Sequence, residues 1–219
     1  ETEVANAAAV AVVASPDDLD VFPRTAVVAN GYPPPPAGWQ RRPADDVVLL
    51  LQGQFGYFPN EDAARWVTST VMPRVWSRLP DATLRLVGAH PPWLREVVTD
   101  GRVVLTGFVP DIRDELSRAS MIVCPIRFGG GTRVKLIEAL AHRVPIVTTT
   151  IGAAGLGLVH GVHALVADDA DAFADAVVDL ARDPRLGTSL TENGYQHYLT
   201  RFTPDVVEQQ VAAVVERLR

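Results

Sequence analysis

Pro-Ile-Arg-Phe-Gly-Gly-Gly-Thr-Arg-Val-Lys-Leu-Ile-Glu-Ala-Leu-Ala, residues 125–141, is the stretch whose reading decides the fold. The apolar run Met121-Ile122-Val123-Cys124 leads into it, and Val134, Leu136, Ile137, Leu140 and Ala141 follow the glycines at helical spacing. The order is strand, glycine loop, helix. Glycines admit a ligand close to the backbone because no Cβ intervenes. The free N–H groups of a helix's first turn, together with the positive end of its dipole, attract phosphates. Thr132 is the expected N-cap, and Arg127, Arg133 and Lys135 add positive charge around the same point. A Gly-Lys-Ser/Thr sequence does not follow the glycines, which argues against a mononucleotide kinase loop.

Working outward, short apolar runs alternate with helical patterns. Strands are expected at Val47–Leu51, Thr83–Val87, Arg102–Leu105, Met121–Pro125, Pro145–Thr149 and His163–Ala167. A helix is expected from a cap at Asn60 to about Leu79 with a kink at Pro73, then shorter ones near Trp93–Val98 and Ile112–Ala119. Three more follow at Ala170–Arg182, Pro184–Leu199 and Pro204–Leu218. This alternation predicts an α/β fold, a Rossmann-like doubly wound parallel sheet with helices on both faces. Ligands in such folds sit at the carboxyl ends of the strands, near the point where strand order reverses. The glycine-bearing loops at 53–56, 129–131 and 152–157 would lie there, beside 106–111.

Ahead of this domain, a small-residue helix from Glu3 to about Ala9 precedes strands at Val10–Ala14 and Thr25–Ala29, with a helix start at Ser15-Pro16-Asp17-Asp18 between them. Tyr32 and the four prolines Pro33–Pro36 then mark a boundary. The domain plan is 1–32 as a remnant of a neighbouring domain, 33–45 as a proline-rich linker, 46–200 as the nucleotide-binding domain and 201–219 as a C-terminal helix. A chain that opens Glu-Thr-Glu inside a helical pattern reads as a piece of a longer protein.

Composition excludes several classes. Of 219 residues, 47% are hydrophobic and 21% charged, which is ordinary for a folded protein. A net charge of −6 disfavours nucleic acid as a partner and makes any anion site a local one. Cys124 is the one cysteine, so an internal disulfide is impossible, a cysteine-built metal cluster is excluded, and a reducing, cytoplasmic setting is expected. The thiol reads as inert and buried. His90, His142, His160, His163 and His197 lack metal-ligand spacing, Asp168-Asp169 reads as a helix start, and Trp66 and Trp76 read as packing residues.

Four stretches carry a family resemblance: GQFGYFPNEDAARW at 53–66, LRLVGAHPP at 84–92, VVLTGFVPDIRDELSRASMIVCPIRFGGGTRVKLIEALAHRVPIVTTTIGAAGL at 103–156, and ADDADAFADAV at 167–177. From about Val47 to Thr200 the chain resembles the C-terminal, donor-binding domain of retaining glycosyltransferases of the GT-B fold, family 4-like (glycosyl transferases group 1). Residues 1–31 resemble the end of the N-terminal domain and the crossing into the second.

The resemblance implies a hexosyltransferase that moves a sugar from a UDP- or GDP-sugar to a hydroxyl of a glycan, lipid or small molecule, with retention and without a required metal or a tightly bound cofactor. It also implies partnership with the protein's own N-terminal domain. Through that domain the protein could lie peripherally on the inner membrane face; this portion alone is expected to bind donor and not turn over. Glu138 matches the family glutamate that accepts hydrogen bonds from the nucleotide ribose. The family's other glutamate, eight positions earlier, falls at Gly130. By resemblance Val134 and Lys135 face the diphosphate, Gly131, Thr132 and Arg133 approach the sugar, and Phe108, Val109 and Pro110 hold the base. Gly53 and Gln54 border the donor.

Relatives place an Arg and a Lys where this chain has Gln54 and Asn60. Arg127, Arg133 and Lys135 are therefore expected to supply the missing charge, with Glu138, Arg133 and Lys135 as the residues of catalysis. The competing reading puts Arg127 and Arg133 in surface pairs with Asp111 or Asp114, and makes Glu138 a solvated helix acid. Two other functions stay open: a GT-B-like sugar-nucleotide epimerase, and a non-catalytic nucleotide-binding or scaffolding module. The first would need paired carboxylates and histidines in the cleft.

Overall fold

The computed structural model describes residues 8–21 and 24–218. The helix expected at Glu3–Ala9 falls mostly on residues outside that set.

Six parallel strands make the main sheet: β3 (Val48–Gln52), β4 (Thr83–Val87), β5 (Val103–Gly107), β6 (Met121–Cys124), β7 (Ile146–Thr148) and β8 (Leu165–Val166). Their spatial order is β5-β4-β3-β6-β7-β8. The chain thus builds one half outward from β3 and then returns to build the other half from β6. The switch point lies between those two strands.

Apart from Gln52 at the end of β3, the central strands β3 and β6 are apolar at every position because both faces are covered. Alternate side chains serve opposite cores. Leu49, Leu51, Met121 and Val123 pack with Val67, Val71 and Phe173 on one face. Leu50, Ile122 and Cys124 pack with Leu116, Ile137 and Tyr198 on the other. The period of two in the strands and of 3.6 in the helices meet in these two layers.

The helices are α1 (Phe58–Trp66), α2 (Met72–Trp76), α3 (Trp93–Val97), α4 (Arg113–Arg118), α5 (Val134–Ala141), α6 (Thr150–Ala153), α7 (Ala170–Arg182), α8 (Pro184–Arg201) and α9 (Pro204–Glu216). The helix expected at Asn60–Leu79 instead begins at Phe58 with Pro59 in its first turn. A π-helical turn, Val67–Val71, joins α1 to α2 just before Pro73. Proline cannot donate to the preceding turn, and the wider π register absorbs that loss. Side-chain caps start the later helices: Asp169 caps α7, Asp183 caps α8 and Thr203 caps α9.

Before the sheet, β1 (Ala11–Val13) and β2 (Thr25–Val27) form their own two-stranded parallel pair. Ser15 caps the single 3-10 turn between them through the Asp17 N–H. Residues 33–45 lie along the domain: Arg41 donates to the Ala119 and Ser120 carbonyls, and Trp39 packs edge-on against His142.

Candidate functional site

A cleft of about 610 Å³ opens at the carboxyl ends of the strands beside the switch point. Three strand ends form its floor. Gly53 donates to the Val87 carbonyl (2.9 Å), Gly88 to the Gly107 carbonyl (2.8 Å), and Phe55 to the Ala89 carbonyl (2.9 Å). Gly88 has φ +135°, and a Cβ there would stand 1.9 Å from the Gly53 carbonyl oxygen. This crossing tolerates no side chain. Phe108, Val109 and Ile112 make the outer wall, and Phe108 is 77% exposed.

Helix α5 makes the opposite wall through Val134, Lys135 and Glu138. No side chain caps its first turn: the cap position is Arg133, not Thr132 as expected. The Thr132 hydroxyl instead accepts a hydrogen bond from Asn30, which ties the glycine loop to the crossing segment.

Lys135 and Glu138 differ sharply in how their charges are met. The Lys135 ammonium donates to Asn60 Oδ1 (2.9 Å), and Asn60 in turn donates to the Gln54 carbonyl (3.1 Å). No carboxylate pairs with Lys135 among the described residues. Burial pulls its ammonium below the ordinary lysine value, and the nearby Arg133 charge pulls the same way. Glu138 is 8% exposed and accepts one hydrogen bond at each oxygen. Tyr32 donates to Oε1 and the Gln52 amide to Oε2. Burial and the Glu138 carboxylate together hold the Tyr32 phenol above its ordinary value.

The two arginines act locally. Arg133 folds back on its own loop, with Nη1 on the carbonyls of Gly130 (2.5 Å) and Gly131 (2.7 Å) and Nη2 on that of Gly129 (2.8 Å). Arg127 makes a two-pronged pair with Asp62, at 3.0 and 2.7 Å, and does not line the cleft. Its acid is therefore neither Asp111 nor Asp114; Asp111 is held by Arg113 instead.

Of the expected residues, Gly53, Gln54, Phe108, Val109, Val134, Lys135 and Glu138 come together around the cleft. Gly130, Gly131, Thr132 and Arg133 lie outside its wall, on the loop that leads into α5. Pro110 lines an adjoining groove of about 420 Å³ with Asp111, Arg113 and the proline run; Tyr32, Ile112 and Glu138 border both spaces. The loop expected at 152–157 overlaps the end of the short helix α6, and the Gly155 N–H donates to Asp17 (2.8 Å).

Both residues that hold the Glu138 carboxylate went unrecognised in the sequence. Gln52 carried a signal, since it is a polar end to an all-apolar strand. Tyr32 carried none, because its partner lies 106 residues away. Asn60, expected as a helix cap, supplies the Lys135 contact instead. Among the described residues no group of His, Cys, Asp or Glu side chains could hold a metal ion.

The family model for glycosyl transferases group 1 matches residues 46–183. Among curated proteins, the chain is 27% identical over 173 residues to the lipopolysaccharide core biosynthesis glycosyltransferase LpsE of Rhizobium meliloti (strain 1021), covering 75% of this chain and 48% of LpsE. The chain spans less than half the length of the curated relatives it matches. Among solved structures, Anabaena HepE, crystallised with UDP and glucose, superposes with a TM-score of 0.83 at 17% identity, over 98% of this chain and 65% of that one. Sucrose-phosphate synthase from Thermosynechococcus elongatus superposes with a TM-score of 0.78 at 20% identity, over 96% of this chain and 58% of that one. Both likenesses are of fold: the Rossmann-like half of GT-B proteins.

Proposed function

The chain belongs to the glycosyl transferases group 1 family, and from that premise we propose that it is the donor-binding part of a glycosyltransferase. In this reading a nucleoside-diphosphate sugar lies in the cleft at the switch point. Its diphosphate meets the first turn of α5 and Lys135, its ribose hydroxyls meet Glu138, and its base lies against 108–110. The sugar projects past Gly130–Arg133.

The observation that carries this proposal is Lys135. A desolvated ammonium without a carboxylate is costly to bury, and an incoming anion relieves that cost. The same feature assigns it a role in the reaction. Charge grows on the diphosphate as the glycosidic bond breaks, and a fixed cation beside an uncapped helix start stabilises it without reorganising. Arg133 supports the same wall by bracing the glycine loop, so its contribution is to shape. Arg127 is neutralised by Asp62 and drops out of charge handling.

UDP is the first ligand to try, because HepE was crystallised with UDP. Retention, the sugar, and an acceptor of glycan, lipid or small-molecule type belong to the whole protein, as does any peripheral attachment at a membrane face. No helix among the described residues is long and apolar enough to cross a membrane. The N-terminal domain is taken to complete the acceptor side, with β1, β2 and α9 as the parts of this chain turned toward it. The apolar residues Val211 and Val215 on α9 are 45% and 44% exposed, which suits a helix that meets further protein. The cleft lining has one carboxylate and no histidine, so nothing there favours an epimerase.

Calorimetric titration of the chain with UDP, GDP and uridine tests the proposal. A diphosphate should bind with at least tenfold higher affinity than uridine, since charge-assisted contacts contribute roughly 1.5–3 kcal/mol. Absence of binding by both diphosphates at millimolar levels would reject it.

A further inference from the structure

The Glu138 carboxylate is held from two sides by residues that come from opposite ends of the domain's architecture. Gln52 ends β3, at the centre of the sheet. Tyr32 lies on the segment that crosses from the β1–β2 pair, and its backbone is fixed at both polar atoms. Its N–H donates to the Phe202 carbonyl (2.9 Å), and its carbonyl accepts from the Tyr198 hydroxyl (2.9 Å). The ring packs edge-on against His142, with centroids 5.9 Å apart. Tyr32 therefore cannot follow a movement of Glu138; the carboxylate is set by the tyrosine.

We propose that Tyr32 is a positioning residue for nucleotide recognition: it fixes the Glu138 carboxylate so that one lone pair on each oxygen faces the ribose hydroxyls of a bound nucleoside diphosphate. The proposal rests on the donor-binding reading above. A carboxylate offers about four acceptor sites. Tyr32 takes one on Oε1 and Gln52 takes one on Oε2, which leaves one on each oxygen for two adjacent hydroxyls. Without the tyrosine, the carboxylate rotates about its terminal torsion, a broad and soft one, and ordering it falls to the ligand. Because Tyr32 sits on the crossing segment, ribose affinity also depends on where that segment enters the domain.

Calorimetry with UDP and 2′,3′-dideoxy-UDP on the full chain and on Tyr32→Phe tests this. The phenylalanine keeps the ring packing and removes only the hydroxyl. Wild type should prefer UDP, and Tyr32→Phe should weaken UDP binding by roughly threefold to tenfold, the worth of one hydrogen bond, while leaving dideoxy-UDP unchanged. Gln52→Met should repeat the pattern from the other oxygen. Equal weakening of both ligands in Tyr32→Phe would mean a general structural role and overturns the proposal. Tighter UDP binding would mean that the tyrosine competes with ribose, and also overturns it. A wild type that binds the two ligands equally overturns the proposal, since Glu138 then does not read the ribose; a wild type that binds neither overturns the donor-binding reading itself.

Discussion

Two strand–loop–helix units face each other across the switch point, and they use glycine in opposite ways. In the first, β3 runs through Gly53 into α1, and Gly53 is pressed against Gly88 at the end of β4. In the second, β6 runs through Gly129–Gly131 into α5, where a Cβ on Gly130 or Gly131 would meet nothing within 4 Å. The first loop has glycine so that protein can touch protein. The second has it so that the backbone stays uncovered. Two cations of the second unit reach α1 of the first, and they are met differently: Arg127 is matched by the Asp62 carboxylate, whereas Lys135 on α5 has only the Asn60 amide oxygen. One unit is a closed joint, and the other is open and short of negative charge.

The joint is the place where a small change should do most harm. Gly88→Ala would set a methyl 1.9 Å from the Gly53 oxygen at a φ that L residues rarely adopt. The backbone crossing would have to separate, and the cleft floor with it. Loss of at least about 3 kcal/mol is expected, read as a fall in the denaturation midpoint. A loss below about 1 kcal/mol would show that the two strand ends can part, and the closed character of this unit would be wrong.

The two cations sharpen the contrast next. Lys135→Ala should weaken UDP binding by about tenfold or more while leaving or raising stability, because it removes a buried charge that lacks a counter-ion. Arg127→Ala should do the reverse. It strands Asp62, which is only 16% exposed at the side chain, and should cost roughly 1 kcal/mol, with UDP affinity changed less than twofold. Thermal melts and calorimetry on both variants decide the matter. If Arg127→Ala lost as much affinity as Lys135→Ala, the distinction between a matched and an unmatched cation would fail.

Much of this was readable beforehand, and for a physical reason. The strands are apolar at successive positions because they are covered twice, and that pattern is local. Helix α7 carries its own cap and runs over the expected residues, Ala170–Arg182. Glu138 was named by the family resemblance and Lys135 by its charge beside the glycines; the fold puts both on one wall of the cleft. What escaped was anything decided at long range. Tyr32 and Gln52 meet Glu138 across 106 and 86 residues. Thr132 and Asn60 have good capping side chains, yet Asn30 binds the first, while Lys135 and the Gln54 carbonyl engage the second. Local propensity names what a side chain can do; the fold decides which partner reaches it first.

The smallest expected effects lie inside the open loop, and they separate two reasons for glycine that the comparison has so far joined. Gly130 and Gly131 both have free space where a Cβ would go, but only Gly131 has a left-handed backbone, φ +77°. If space alone mattered, alanine at either site would be harmless. If backbone strain matters, Gly131→Ala should cost about 1 kcal/mol, the usual penalty for an L residue in that region. Gly130→Ala should then be neutral or stabilise by up to about 0.5 kcal/mol, because alanine restricts the unfolded chain. Arg133 gives the difference a second readout. Its guanidinium holds the carbonyls of both residues, so a shifted Gly131 would loosen the brace and a Gly130 variant would not. Equal stability of the two variants would mean that the loop adapts freely, and its present shape would then owe nothing to glycine at 131.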